Sequence, residues 1–256
     1  MAPDIAQLLW DAREGGRTVS ADDLGAISDH PAAYAMQTAV TKLSGVAVVG
    51  WKLGATSAAS QEAFGLSGPF YGPLLAPFCF APGVTVTGAT AFGPGAEGEF
   101  ALTMGADLPA RAAPFTEDDV ADAVASVCPA LEIAGTRLSG GLLGADPRHL
   151  IADDAANIAF IAGDPVADWR AVDLAAQTVT LTINGEEKAT GTGALALGGP
   201  LTALTWFANA LREQGRGLAA GEIITTGTCT GFVPLGPGDQ VVVDCGPLGQ
   251  VSATVT

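Results

Sequence analysis

Positive charge is scarce in this sequence. Eleven lysines and arginines stand against 27 aspartates and glutamates, for a formal net charge of −16 over 256 residues. A chain this acidic offers no basic footprint for phosphates, which argues against nucleic acid as a partner. Histidine is nearly absent. His30 and His149 share no ligand spacing with each other or with a cysteine, so a zinc centre is not expected. The four cysteines, Cys79, Cys128, Cys229 and Cys245, form no C-x-x-C pair and sit among apolar or small residues. They read as reduced, buried thiols of a cytoplasmic protein rather than as a disulfide framework. No apolar run approaches the roughly 18 residues of a membrane span. The start of the chain lacks the basic residues and unbroken apolar segment of a secretory leader. Neither a membrane nor a secreted setting is expected.

What is abundant is apolar and small. Hydrophobic residues make up 48% of the chain, with 34 glycines, enough for a sizeable core cut by many turns. Residues 3–14 carry Ile5, Leu8, Leu9 and Ala12 on one helical face before Gly15-Gly16. Short helices are expected at 21–27 and from Pro31, the latter with Asp29 as a cap. The texture then changes. Strands are expected at 46–53, 73–80, 84–88, 97–104, 129–134, 157–162, 178–184, 222–226, 240–245 and 250–255. Ser57 caps a short helix to Phe64. Thr116-x-x-Asp119 opens one through Val127. Residues 139–150 read as a glycine-rich loop, and Asn184-Gly185 as a hairpin turn. Pro200 starts the clearest helix, which Gly215 ends. Strands and helices do not alternate regularly, which disfavours a doubly wound sheet. The pattern predicts an α+β protein: a mixed, barrel-like sheet core with peripheral helices. An N-terminal helical layer (1–45) and a catalytic sheet domain (46–256) would form one integrated unit.

The chemistry concentrates in a few carboxylates and one lysine. Side chains alternate along a strand, so Glu97 and Glu99 face the same way, roughly 7 Å apart. That pair fits a solvated face as well as a cation site. Glu132 stands among Pro129, Ala130, Leu131, Ile133 and Ala134, where a lone carboxylate is costly unless paired or metal-bound. It either takes an exposed position, pairs with Arg137, or joins Glu97 and Glu99 as a third oxygen ligand for Mg²⁺ or Mn²⁺. Lys52 lies inside the apolar run Val48–Leu53. It either reaches solvent at a strand end or is a buried base or anion anchor. Asp153 and Asp154 precede a strand and could serve as a base or as turn residues. The run Thr225–Gly231, with Thr226, Thr230 and Gly231, allows close backbone approach to a carboxylate or carbonyl oxygen, or is an ordinary glycine loop.

These pieces fall in an order that resembles the fumarylacetoacetate hydrolase superfamily. They are Ala33-Tyr34-Ala35-Met36-Gln37, Gly50-Trp51-Lys52-Leu53-Gly54-Ala55-Thr56-Ser57, Tyr71-Gly72-Pro73-Leu74, Glu97-x-Glu99, Pro129-Ala130-Leu131-Glu132-Ile133, the helix from Gly199-Pro200, and Gly221-Glu222-Ile223-Ile224-x-Thr226-Gly227. The most similar branch is that of 2-oxopent-4-enoate hydratases and 4-oxalocrotonate decarboxylases. The resemblance implies a mixed β-roll, a homo-oligomer, a Mg²⁺ or Mn²⁺ held by Glu97, Glu99 and Glu132, and an active-site lysine at Lys52. It implies a metal-dependent lyase of aromatic-compound catabolism that hydrates a 2-hydroxy-2,4-dienoate to a 4-hydroxy-2-oxo acid. A 4-oxalocrotonate-type decarboxylase is the alternative, and a non-catalytic metal-binding member a third. From the residues themselves, Asp153 is expected as a catalytic group and Arg137, Thr226, Thr230 and Gly231 as substrate-binding ones, with Arg137 the candidate for a second substrate carboxylate. Two departures stand out. Related hydratases place an aspartate shortly after Tyr-Gly, whereas Leu75-Ala76-Pro77-Phe78 has no acid. The relatives' Asp-Asn-Ala-Ser segment is Asp153-Asp154-Ala155-Ala156 here.

Overall fold

The computed structural model describes residues 4–256. In chain order the helices are α1 (Ile5–Glu14), α2 (Ala21–Leu24), α3 (His30–Ser44), α4 (Ala58–Phe64), α5 (Glu117–Ala123), α6 (Pro147–Ala152) and α7 (Pro200–Glu213). The strands are β1 (Val48–Gly54), β2 (Phe70–Leu75), β3 (Cys79–Phe80), β4 (Val84–Val86), β5 (Gly95–Met104), β6 (Val124–Ala134), β7 (Asn157–Ala162), β8 (Thr178–Ile183), β9 (Glu186–Thr192), β10 (Ile223–Thr225), β11 (Val233–Pro234), β12 (Gln240–Asp244) and β13 (Gln250–Val255). An eight-stranded sheet runs β2-β1-β10-β5-β6-β7-β3, with β11 added on β5, and a five-stranded sheet runs β4-β13-β12-β8-β9. Both are mixed, since β1 with β10, β3 with β7 and β4 with β13 pair in parallel. The expected α+β sheet core with peripheral helices is what forms.

The sheets face each other across one core. From β5 it takes Phe100, Leu102 and Met104; from the smaller sheet it takes Val179, Leu181, Val241, Val243 and Val251. Gly98 is needed where the layers touch: a Cβ there would lie 3.1 Å from Thr230, Val179 and Val243. The opposite face of β5 carries Glu97 and Glu99. The two faces of one strand therefore divide the labour, one packing and one presenting carboxylates. The stretch Gly193–Glu213 is, on length and composition alone, apolar enough to cross a membrane. Within the fold, α7 buries Ala203, Leu204, Phe207, Ala208 and Leu211 in the core, so that apolarity serves packing.

Local signals place most element ends. Asp29, Ser57 and Thr116 cap α3, α4 and α5, the last two with reciprocal side-chain bonds. Asn184 and Gly185 both take positive φ, 54° and 80°, as a two-residue hairpin requires. Several boundaries move. The first helix starts at Ile5 with Asp4 as cap; the expected start at residue 3 lies outside the described residues. The helix from Thr116 stops at Ala123, because Val124 to Cys128 pair with Ala101 to Met104 of β5 and extend β6 toward the N-terminus. The last third of the expected glycine loop, 147–150, is helix: Asp146 caps α6 and Pro147 opens it. The N-terminal helices are not a separate layer in packing terms, since Leu9, Trp10, Ala33 and Val40 share a cluster with Leu150, Ile151 and Ala155.

Candidate metal centre and substrate cavity

The register of β5 against β6 sets Glu97 directly opposite Glu132, with Glu99 two residues along. Like charges in direct cross-strand positions repel, yet Glu99 and Glu132 are 0% and 1% exposed. One oxygen from each of the three carboxylates lies within 4.8 Å of the others. Three contacts orient the set. The Gly227 N–H donates to Glu99 Oε2 at 3.0 Å, the Asn157 side-chain amide donates to Glu132 Oε1 at 2.9 Å, and Lys52 Nζ sits 3.1 Å from the same Glu132 oxygen. Glu99 Oε1 and Glu132 Oε2 are buried with no partner at all. A buried carboxylate oxygen left without a partner is expensive. Two of them beside a third carboxylate fit a hard, oxygen-preferring divalent cation, and the donor set contains no thiol or imidazole.

Electrostatics agree. Burial pushes the Glu97 carboxyl up from its ordinary range, and Glu132 adds to it against the pull of Lys52. Glu99 is raised by burial and then by both neighbouring glutamates. Burial alone would lower the Lys52 ammonium, but Glu132, Glu97 and Glu99 outweigh it and hold its pKa above the usual lysine value. One cation among three carboxylates leaves the cluster with excess negative charge, which a bound cation would relieve.

The cluster opens into a cavity of about 400 Å³. Lys52 and Glu97 line it together with Thr56, Ser57, Ser60 and Thr228, while Phe64, Phe70, Leu142, Leu143, Leu195 and Phe232 supply apolar wall. Lys52 is the single basic side chain among the described lining residues.

The fumarylacetoacetate (FAA) hydrolase C-terminal family matches residues 72–256. That range holds all three carboxylates, and it decides the relationship. The chain belongs to the fumarylacetoacetate hydrolase family. It is 32% identical to the 2-keto-4-pentenoate hydratase of Burkholderia vietnamiensis over 98% of this chain and 96% of the relative. It is 34% identical to the 4-oxalocrotonate decarboxylase of Pseudomonas putida over 80% and 76% of the two chains. Among solved structures, the 4-oxalocrotonate decarboxylase of Pseudomonas putida G7 in complex with magnesium and adipate superposes with a TM-score of 0.89 at 30% identity. The match covers 98% of this chain and 96% of that one.

Within this family member, Glu97, Glu99, Glu132 and Lys52 come together. Other expected site residues do not join them. Arg137 is 1% exposed and pairs with Asp153 instead of Glu132. Its Nε donates to Asp153 Oδ1 at 2.6 Å, and its terminal nitrogens donate to the backbone carbonyls of Asn157 and Asp153. Asp153 accepts further from the Thr136 hydroxyl and the Arg137 N–H. Both side chains are committed to each other and neither lines the Lys52 cavity, so the geometry gives no support to a substrate-binding Arg137 or a catalytic Asp153. The Thr226 hydroxyl donates to the Phe100 carbonyl, which fastens the 225–231 turn to β5. Thr230 accepts from the Gly98 N–H. Only Gly231 of that trio lines the cavity. The carboxylate that the turn binds is the protein's own Glu99, through Gly227.

Three residues that touch the carboxylates or line the cavity escaped the sequence reading as site candidates. Asn157 looked like the first residue of a strand. Gly227 looked like one glycine among several, although an added Cβ would lie 2.0 Å from Thr56 Oγ1. Thr56 carries a buried, partnerless hydroxyl in the cavity lining, placed by Ala55 at φ 53°. No spacing pattern marks any of them, because each meets its neighbour only through the fold: Asn157 reaches Glu132 25 residues back and Gly227 reaches Glu99 128 residues back.

Proposed function

We propose that this protein is a divalent-metal-dependent hydratase for a 2-hydroxy-2,4-dienoic acid, using Mg²⁺ or Mn²⁺. The observation that carries the reading is the set of half-buried Glu97 and buried Glu99 and Glu132, two of its oxygens unpartnered, facing a cavity whose only described basic side chain is Lys52. A divalent cation held there would offset negative charge gathering on the substrate's carboxylate and O2. Lys52 has three donors and uses one on Glu132. The others would hold O2 and carry its proton. Ketonisation removes the enol proton from O2 and delivers a proton to C5. Water then bonds through oxygen to C4 and a proton goes to C3, so the sum is one added water and the product a 4-hydroxy-2-oxo acid. The relatives named as hydratases support this reading. The homo-oligomer implied by the family resemblance and the cytoplasmic setting read from the cysteines belong to the same proposal.

One observation favours a second reading, decarboxylation of an oxalocrotonate-like diacid. A relative named 4-oxalocrotonate decarboxylase is 34% identical over 80% of this chain; the acid-free Leu75–Phe78 segment does not bear on the choice, because it packs away from the Lys52 cavity, with the Arg13 guanidinium 3.8 Å from the Phe78 ring. The lack of a second cation in the cavity weighs against a diacid. Thermal unfolding with increasing Mg²⁺ or Mn²⁺ tests the base of the proposal, with metal-dependent stabilisation expected. Supplying 2-hydroxypenta-2,4-dienoate and 4-oxalocrotonate in parallel separates the chemistries. Loss of diene absorbance without CO₂ is expected; CO₂ release from the diacid alone would move the assignment to the decarboxylase.

A further inference from the structure

We infer that the cavity accepts a substrate with a long apolar tail and no second carboxylate, an inference that rests on the proposed 2-oxo acid chemistry at Lys52. The charged groups lie at one end. Besides Lys52, Glu97 and the hydroxyl-bearing Thr56, Ser57, Ser60 and Thr228, the described lining residues are apolar, and about 400 Å³ falls within the roughly 300–1,000 Å³ that proteins devote to drug-sized ligands. A five-carbon acid fills little of that space.

The rim points the same way. Five large hydrophobic side chains are exposed among the described residues, and three of them, Leu143 at 86%, Leu195 at 41% and Phe232 at 41%, line this cavity. Apolar side chains gathered around one opening mark a binding surface more often than chance exposure. Leu142 and Leu143 are carried there by the loop between β6 and α6, where Gly141 and Gly144 take φ of 73° and 82°. A tail carboxylate would meet these side chains with no cation to pair it, whereas an alkyl or aryl tail would be desolvated by them. Continuity with the Lys52 end argues for a substrate tail as the occupant.

Binding of saturated 2-oxo acids to the Mg²⁺-loaded protein tests this without relying on turnover. 2-Oxobutanoate, 2-oxohexanoate and 2-oxooctanoate are compared with 2-oxoadipate by titration calorimetry. Kd is expected to fall about fourfold per added methylene, the ratio that ~0.8 kcal/mol per buried CH₂ implies, and 2-oxoadipate to bind at least about tenfold more weakly than 2-oxohexanoate. A Kd independent of length, or tighter binding of 2-oxoadipate, overturns the inference. Leu143→Ser and Phe232→Ser are expected to flatten the dependence on length. If they leave it intact and change the oligomer mass by light scattering, the rim is a subunit contact and the inference fails. Turnover of 2-hydroxy-2,4-dienoates with hydrogen, butyl and phenyl at C5 completes the test. Graded binding without turnover of any dienoate would overturn the hydratase reading and leave the tail site standing. Turnover that does not improve with the tail would do the reverse.

Discussion

Two buried carboxylate clusters share one neighbour in this protein and meet opposite electrostatics. Glu97, Glu99 and Glu132 face a single cation, Lys52, and keep two oxygens unpartnered. Asp153 and Asp154 face Arg137 and Arg13, pair one to one at 2.6 and 2.8 Å with only Asp154 Oδ1 left unpartnered among their oxygens, and lie away from the Lys52 cavity. Asn157 joins them: its side-chain amide donates to Glu132, and its backbone carbonyl accepts from both arginines. The difference teaches how burial of charge divides between roles. A balanced set can close on itself and hold the chain in a costly shape. Here it braces Asp154, Ala155 and Ala156, all with positive φ near 50–60°, a conformation that costs non-glycine residues of order 1–3 kcal/mol each. The same turn explains Gly72, where a Cβ would lie 2.6 Å from that of Ala155. An unbalanced set is unstable by itself and is completed by something brought from outside.

That contrast breaks if removing an acid from the first cluster unfolds the protein, or if removing a base from the second spares it. Glu132→Gln is expected to abolish stabilisation by Mg²⁺ and to lower turnover by roughly 10³ or more, the scale of losing one electrostatic stabiliser, while the metal-free protein still folds. Metal titration with thermal unfolding and steady-state rates check both halves. Arg137→Met leaves Asp153 buried with no countercharge, and a loss of about 3–5 kcal/mol in urea unfolding is expected.

Asp154 supplies the next test. Burial raises its carboxyl to about 6 against the pull of Arg13 and Arg137. A carboxyl raised on folding binds its proton more tightly in the native state. Its contribution to stability is therefore complete below the ordinary aspartate value and is lost as pH rises through about 6. Between pH 4 and 7 the wild type should lose on the order of 2 kcal/mol that Asp154→Asn does not lose, since one pKa unit is about 1.4 kcal/mol. Chemical denaturation across that range measures the difference; parallel curves would remove the group from the account. The smallest effect is expected at the residue between the clusters. Asn157→Ala should weaken Mg²⁺ affinity by about tenfold through loss of its support to Glu132, with a modest loss of stability. Calorimetry of metal binding reads it, and an unchanged Kd would show that Glu132 needs no such support.

Much of the fold was legible because its signals are local. Asp29, Ser57 and Thr116 could be read as caps, Asn184-Gly185 as a turn, and Pro200 as a helix start. The alternation in Gly95–Met104 was enough to put Glu97 and Glu99 on one face. The helix α6 was not legible behind its glycines, nor was the early end of α5, where pairing of Val124–Cys128 with β5 overrides a continuing helical pattern.

The site divides along the same line. Residue type and order marked three carboxylates and a lysine as candidates, because charged groups inside apolar strands must be paired, exposed or used; solvated alternatives stayed open, and the family resemblance favoured the metal set. Which partner each charge takes was decided by the tertiary structure. Glu132 had Arg137 five residues away and pairs with Lys52, because the β5–β6 register turns it toward Glu97. Arg137 went to Asp153, across the turn between β6 and α6. Electrostatic choice depends on distance and burial, and neither is a property of neighbours in sequence.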